Sequence, residues 1–306
     1  MTGTTRYTED GRPAVRVERA LRHPVAKVWR ALTEPSQLNQ WFPFDVETAL
    51  AVGAEVRFVD RRGGPSGTGT ITELDPPRLL AYSWESDHLR WELRSAAGGS
   101  LLVLTHTVVD RFGAASFASG WHACLDGLES VLLGRPVGPP GDMDAAHEHW
   151  LAEFGLAEPE VTDGPDGWRI RFERQLVRPA DLAWRELVAG GSEPVVGGPV
   201  PAGALIVQSS DGRAADLTAD RITDLTADRI TELAPAKVLA YAWLAEGTPA
   251  GQIRWELGEG TGHGARLVLT VAAPPDRSAA RATAQTGAQQ RIATLAAALR
   301  NTPRRA

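Results

Sequence analysis

Two stretches decide the architecture: VRVERALRHPVAKVWRAL at Val15–Leu32 and IRFERQLVRPADLAWREL at Ile170–Leu187. The second repeats the first in pattern, and the likeness continues downstream. ITELDPPRLLAYSW (Ile71–Trp84) returns as ITELAPAKVLAYAW (Ile230–Trp243), LRWEL (Leu89–Leu93) as IRWEL (Ile253–Leu257), and LLVLT (Leu101–Thr105) as RLVLT (Arg266–Thr270). The order is kept while the spacing drifts from 155 residues at Pro24/Pro179 to 164 at Trp91/Trp255. Solenoid units run to roughly 20–50 residues, so the repeated object is a whole domain. A chain of 306 residues has room for two, each able to bury a core of its own.

Within one copy the periodicity changes in a fixed order. Ala14–Leu21 alternates apolar and polar, with Val15, Val17 and Arg19 on one side of a strand. His23-Pro24 stops it, and Val25, Val28, Trp29 and Leu32 then fall at helical spacing over Val25–Thr33. Ser36–Trp41 reads as a second short helix with Ser36 as its cap. From Phe44 to Val109 the pattern is strands and turns, with Gly63–Gly69 as a hairpin loop that lacks the lysine and spacing of a phosphate loop. Phe117, Trp121, Cys124, Leu125, Leu128, Val131 and Leu132 then form one apolar stripe on a long helix. A strand–helix start, an antiparallel meander and one long closing helix make an α+β order. The sheet must bury one face, and the long helix must cover it. A curved sheet cannot touch that helix along its whole length, so a cavity is expected between them.

The boundaries read as a first domain over 14–137, a linker with a short helix (Met143–Phe154) over 138–167, and a second domain over 168–303 that closes on a helix near Ser278–Leu299. Residues 1–13 read as a disordered lead. The segment DLTADRIT occurs twice in tandem, at Asp216–Thr223 and Asp224–Thr231. Eight is an even number, so a strand lengthened by it keeps the same faces.

Composition narrows the function classes. The net charge of −6 and the lack of a basic cluster argue against nucleic acid and anionic membrane as partners. One cysteine, Cys124, allows no intrachain disulfide, and no apolar stretch approaches the roughly 20 residues of a membrane span, so a cytoplasmic location is expected. The N-terminus carries no apolar signal-peptide run. Ten tryptophans against three tyrosines must fill a core or line a site. Leu80, Tyr82 and Trp84 share one strand parity, and Leu89, Trp91 and Leu93 another. Trp121 and Leu125 lie on the helix stripe. If all of these face inward, they build an aromatic-lined pocket.

His106 shares parity with Leu102 and Leu104 and is, with Tyr82 and more weakly Arg90, a candidate acid–base group; a satisfied core or rim histidine is the plainer account. Arg90 and Glu92 have the opposite parity to Trp91 and return as Arg254 and Glu256, which reads as an ion pair on the outer face. His122 and Asp126 read as a solvated pair, and His147, Glu148 and His149 as a polar helix face without metal spacing. Trp150 and Phe154 read as the side that docks this short helix, and Cys124 as an inert buried thiol. No nucleophile elbow and no dinucleotide fingerprint is present, and no metal or cofactor is expected.

HPVAKVWRALTEPSQLNQWF at His23–Phe42, PPRLLAYSW at Pro76–Trp84 and GWHACLDGL at Gly120–Leu128 together resemble the START/SRPBCC helix-grip superfamily, and within it the homologues of the activator of heat shock protein 90 ATPase. The resemblance covers most of residues 14–133 and, in degenerate form, about 168–300. It implies two tandem domains, each a curved antiparallel sheet wrapped around a long C-terminal helix. The second copy departs where Gly190–Pro201 replaces the stretch matching Leu38–Phe42, and where Ala288 takes the place of Trp121. The implied function is non-catalytic binding of a hydrophobic small molecule in the first domain. Its ligand-binding candidates are Trp41, Phe42, Tyr82, Trp84, Trp91, His106, Trp121 and Leu125, with Tyr241, Trp243 and Trp255 as a second-domain pocket. The second domain would be structural or serve an interface. Two alternatives stand beside this: a polyketide aromatase/cyclase-like didomain enzyme, and a co-chaperone-like ATPase stimulator with a protein partner.

Overall fold

The computed structural model describes residues 2–9, 11–61, 63, 67–190, 193–206, 225–245, 248–262 and 264–303. The chain divides into two units, Met1–Phe154 and Gly155–Ala306. The first copy of DLTADRIT lies outside the described residues, as does part of the Gly63–Gly69 loop.

The first unit runs β1 (Thr2–Glu9), β2 (Arg12–Leu21), α1 (Val25–Thr33), α2 (Pro35–Trp41), β3 (Asp45–Thr48), β4 (Glu55–Val59), β5 (Gly67–Asp75), β6 (Leu79–Trp84), β7 (Asp87–Ala96), β8 (Gly99–Thr107), α3 (Ala114–Leu132) and α4 (Met143–Glu153). Its strands form one antiparallel sheet in the order β1-β2-β8-β7-β6-β5-β4-β3. The register places the alternating apolar positions side by side: Val15, His106 and Leu89 form one row, Val17, Leu104 and Trp91 the next, and Arg19, Leu102 and Leu93 a third. All nine side chains are buried on the face that α3 covers. This is the helix-grip arrangement.

The short helices follow from local chemistry. Pro24 occupies the N-cap of α1, and Val28, Trp29, Ala31 and Leu32 bury one side of it. Ser36 does not cap α2: the helix starts one residue earlier, with Glu34 at the N-cap and Pro35 at N1. Proline suits that position because its fixed φ is helical and the missing N–H would have had no partner in the first turn.

The N-terminus corrects the sequence reading. Residues expected as a disordered lead form β1, paired with β2 from Thr2↔Arg19 to Glu9↔Arg12. Thr, Arg and Tyr alternation without apolar residues gave no periodic signal, and the strand is held from outside its own sequence. The Oγ1 of Thr4 lies 2.8 Å from Nε2 of His122, and Arg6 donates to the Phe154 carbonyl at 2.9 Å. His122 is therefore not half of a solvated pair. It stacks on Trp150 of α4 (4.9 Å, 15°), while Asp126 and Glu129 accept from the buried Arg19 at 2.7 and 3.1 Å. The stretch expected as a linker, 138–167, is divided: α4 packs on α3 in the first unit, and β9 (Glu160–Gly164) belongs to the second. His147 is buried rather than on a polar face, with Nδ1 3.2 Å from Ser116 Oγ; His149 stays exposed.

The second unit runs β9, β10 (Gly167–Gln175), α5 (Ala180–Leu187), β11 (Leu225–Ala234), β12 (Val238–Ala245), β13 (Thr248–Glu259), β14 (Ala265–Ala273) and α6 (Arg281–Asn301), with the strand order β11-β12-β13-β14-β10-β9. The edge reads like the first unit without β3 and β4 among the described residues. In place of α2 there is a 3-10 turn, Ala202–Ala204. Its Ala204 carbonyl accepts from Tyr241 Oη at 2.8 Å and from Trp255 Nε1 at 3.1 Å. The turn comes this close to α5 because of Gly203: a Cβ there would stand 2.4 Å from the Glu186 and Leu187 carbonyl oxygens. Among the described residues, no helix is long and apolar enough to cross a membrane.

Two outcomes are expected. Burial first, and then the Arg19 charge, lower the His122 pKa below its ordinary 6.5. The unfolded chain therefore takes up this proton more readily than the folded one. The His122 contribution to stability is present above pH 6.5 and is lost as pH falls through the lowered value. Urea unfolding of the wild type should weaken over that window, and His122→Gln should flatten the dependence. Gly203→Ala should push the turn away from Tyr241 and Trp255 and cost about 1–3 kcal/mol in the unfolding of the second unit.

Candidate functional site

The interior of the first unit is filled by rings. Trp41 and Phe42, delivered by the end of α2, project between sheet and helix. Trp41 packs edge-on to Trp91 at 6.0 Å, and its indole N–H reaches the Ala31 carbonyl at 2.9 Å. Phe42 touches Phe58, Trp84 and Trp121 at 6.3, 5.8 and 6.0 Å, and Phe58 stacks on Trp84 at 4.6 Å. Trp91 meets Trp121 edge-on at 5.4 Å and donates to the Tyr82 hydroxyl at 3.1 Å. Burial pushes the Tyr82 phenol up, so it stays a neutral hydroxyl. Leu125 is wholly buried in the same core.

Among the described residues, cavities lie on either side of this packing. One, of about 290 Å³, opens beside α3 and is walled by Trp84, Phe117, Gly120, Trp121, Cys124 and Pro43, with Glu85, Ser86, Asp87, His106 and Ser116 as its polar part. The other, of about 320 Å³, lies under α1 and α2 against β3–β6 and includes Leu38, Val56, Ile71 and Tyr82. Of the first-domain ligand-binding candidates named from sequence, Trp84, His106 and Trp121 line the first cavity and Tyr82 the second. Trp41, Phe42, Trp91 and Leu125 are core side chains behind those walls. Cys124 is only partly buried and borders the first cavity, where burial pushes its thiol up to about 12. Arg90 lies on the outer face instead, paired with Glu73 at 3.2 Å and with Glu92. Its counterpart Arg254 does the same with Glu232 and Glu256.

The polar centre of the first cavity is a chain of three side chains. Trp121 Nε1 donates to His106 Nδ1 at 3.0 Å, and His106 Nε2 stands 3.2 Å from Asp87 Oδ2. Indole nitrogen can only donate. Nδ1 therefore presents its lone pair to Trp121, Nε2 carries the proton, and that proton points at the carboxylate. Phe117 closes on the imidazole edge at 4.4 Å. Asp87 Oδ1 accepts in turn from the Val109 backbone N–H at 3.1 Å.

Asp87 escaped the sequence reading, although a signal existed. It begins β7 two residues before Leu89 and so shares the inward parity of Leu89, Trp91 and Leu93. It faces Trp84 across the turn made by Glu85 and Ser86. A carboxylate at the first residue of a strand reads as turn chemistry, which hides its inward direction.

The second unit keeps Tyr241, Trp243 and Trp255 but buries all three in its core, where the Ala204 carbonyl binds two of them. A cavity of about 440 Å³ in this unit lies elsewhere, around the β9–β10 turn and Trp168. Among the described residues, no group of His, Cys, Asp and Glu is arranged to hold a metal ion.

With this geometry in place, residues 22–133 match the family model described as Activator of Hsp90 ATPase homolog 1-like protein. The first unit carries a domain of this family, on the helix-grip frame; the match does not extend to the second copy. Among solved structures, the chain is similar to CalU16 from Micromonospora echinospora (24% identity, TM-score 0.42, covering 50% of this chain and 96% of that one). It is similar also to EF2215 from Enterococcus faecalis (26%, 0.43, 49% and 89%). DynU16, described as a protein in the dynemicin biosynthetic locus, aligns over 93% of this chain and 96% of its own at 18% identity and a TM-score of 0.39. No curated protein matches.

Trp121→Phe keeps the ring and removes the donor. It should leave His106 Nδ1 buried and unpaired, destabilise the first unit by about 1–3 kcal/mol, and shift the His106 tautomer signature in long-range proton–nitrogen NMR spectra.

Proposed function

We propose that the first unit binds a hydrophobic small molecule in the cavity beside α3, without catalysing a reaction on it, and that the second unit has a structural role. The observation that carries this reading is the cavity itself. About 290 Å³ lies at the small end of ligand pockets, which run to roughly 300–1,000 Å³ and combine apolar walls with a few placed polar groups. Trp84, Phe117 and Trp121 supply such walls, and Asp87 and His106 the polar groups. Trp84 is only half buried, and the lip residues Glu85 and Ser86 are exposed, so a ligand has a route in. A ring left partly uncovered at such a mouth gains contact area when a flat apolar molecule enters.

The reading of the second unit rests on what its interior lacks. The chain there offers Ala288 where the first unit has Trp121, and the Ala202–Ala204 turn where it has Trp41 and Phe42. Of its retained rings, Tyr241 and Trp255 have their polar atoms tied to the Ala204 carbonyl.

Gly120 provides the test. It lines the cavity on α3, and a Cβ at this position would meet nothing within 4 Å. Gly120→Leu should therefore fill the cavity without displacing the core, and should favour the helix by about 1 kcal/mol. Titrating apolar aromatic compounds against intrinsic tryptophan emission should give a saturable change for the wild type and none for Gly120→Leu, while the unfolding midpoint holds or rises. An equal response from both proteins would remove the cavity as the binding site, and no response from either would remove the function.

A further inference from the structure

The cavity beside α3 has an uneven polar inventory, and this specifies what its ligand must carry. The charged side chains at the wall are both carboxylates, Glu85 and Asp87, and Asp87 keeps acceptor capacity beyond the bonds it already makes. His106 spends Nδ1 on Trp121 and its Nε2 proton on Asp87. Ser116 is engaged with His147. The Ser86 carbonyl takes Arg12 at 2.6 Å, which commits that nearby cation to the backbone. Glu85 Oε1 takes the Thr68 N–H at 2.8 Å. Asp87 accepts once at each oxygen, from Val109 and from His106. A carboxylate has about four lone-pair sites, so Asp87 retains acceptor capacity on both oxygens. Among the described residues, no Lys or Arg lines this cavity.

The position of Asp87 turns this capacity toward the ligand. It lies on the inward parity of β7, opposite Trp84, at the mouth of an otherwise aromatic pocket. The hydrogen bonds from Val109 and His106 hold the carboxylate in place, so a ligand that uses it orders little else on binding. A ligand with its own carboxylate would instead be set against the charges of Asp87 and Glu85, with no cation among the described lining residues to offset them.

On this basis, and resting on the binding function above, we propose that the first-unit cavity selects an apolar ring compound bearing a hydrogen-bond donor, a hydroxyl or a protonated amine, which Asp87 accepts, and that it rejects the corresponding carboxylate.

Naphthylmethanol, naphthylmethylamine and naphthoate share a ring body and differ at this end. Measured by tryptophan emission and by calorimetry on the full chain, the alcohol and the amine should bind at least about tenfold more tightly than naphthoate. Asp87→Asn keeps an acceptor for the Val109 N–H but loses the charge, and should bring the amine and naphthoate to within a few-fold of each other. Glu73→Gln removes a carboxylate on the outer face, where it pairs with Arg90 away from the cavity, and should preserve the wild-type order. Naphthoate binding as tightly as the alcohol in the wild type would overturn the proposal, as would an order unchanged in Asp87→Asn or abolished in Glu73→Gln. If none of the compounds binds the wild type, the binding function itself falls.

Discussion

A sheet that bends around one helix meets it closely along a line and falls away from it on either side. Every other feature of these two units answers that geometric shortfall. Close packing requires the gap to be filled, because an unfilled interior forfeits dispersion contacts on one side of each lining atom. In the first unit the filling is done by side chains: Trp41 and Phe42 enter from α2, Phe58 and Trp84 from the sheet, and Trp121 from α3. Large flat rings fill most of the gap and leave residual spaces where they cannot tile it. In the second unit the main chain fills the gap, through a turn seated between α5 and the sheet.

Much of this was legible before any coordinate. The duplicated stretches fixed two copies of one fold, because periodicity in β2, α1 and β6–β8 repeats in β10, α5 and β12–β14 with the same inward residues. The parity of Leu102, Leu104 and His106 placed a histidine inside, and the stripe through Trp121 and Leu125 gave α3 its buried face. These are local patterns whose period equals that of the backbone, so one chain is enough to read them.

What escaped were features whose cause lies elsewhere in the chain. β1 carries no apolar alternation and exists because β2, His122 and Phe154 give its backbone and side chains partners. His147 looked like part of a solvated face, and its burial is decided by α4 lying on α3. The Asp87–His106–Trp121 chain joins residues 87, 106 and 121 through strand pairing and helix docking together. No window of sequence contains it. The size of the cavity is also invisible in sequence, since it is the difference between the space enclosed and the rings that fill it.

The Ala204 carbonyl separates the two copies in how each can change over generations. In the first unit the Asp87–His106–Trp121 bonds run between side chains, so they are rewritten one codon at a time, and each rewriting alters the surface a guest molecule would meet. A backbone oxygen has no codon of its own. Tyr241 and Trp255 are tied to the path of a loop, so reshaping that interior means moving the loop, as a Cβ at Gly203 would. The two copies thus differ in what gives the interior its shape: exchangeable side chains in one, the course of the main chain in the other.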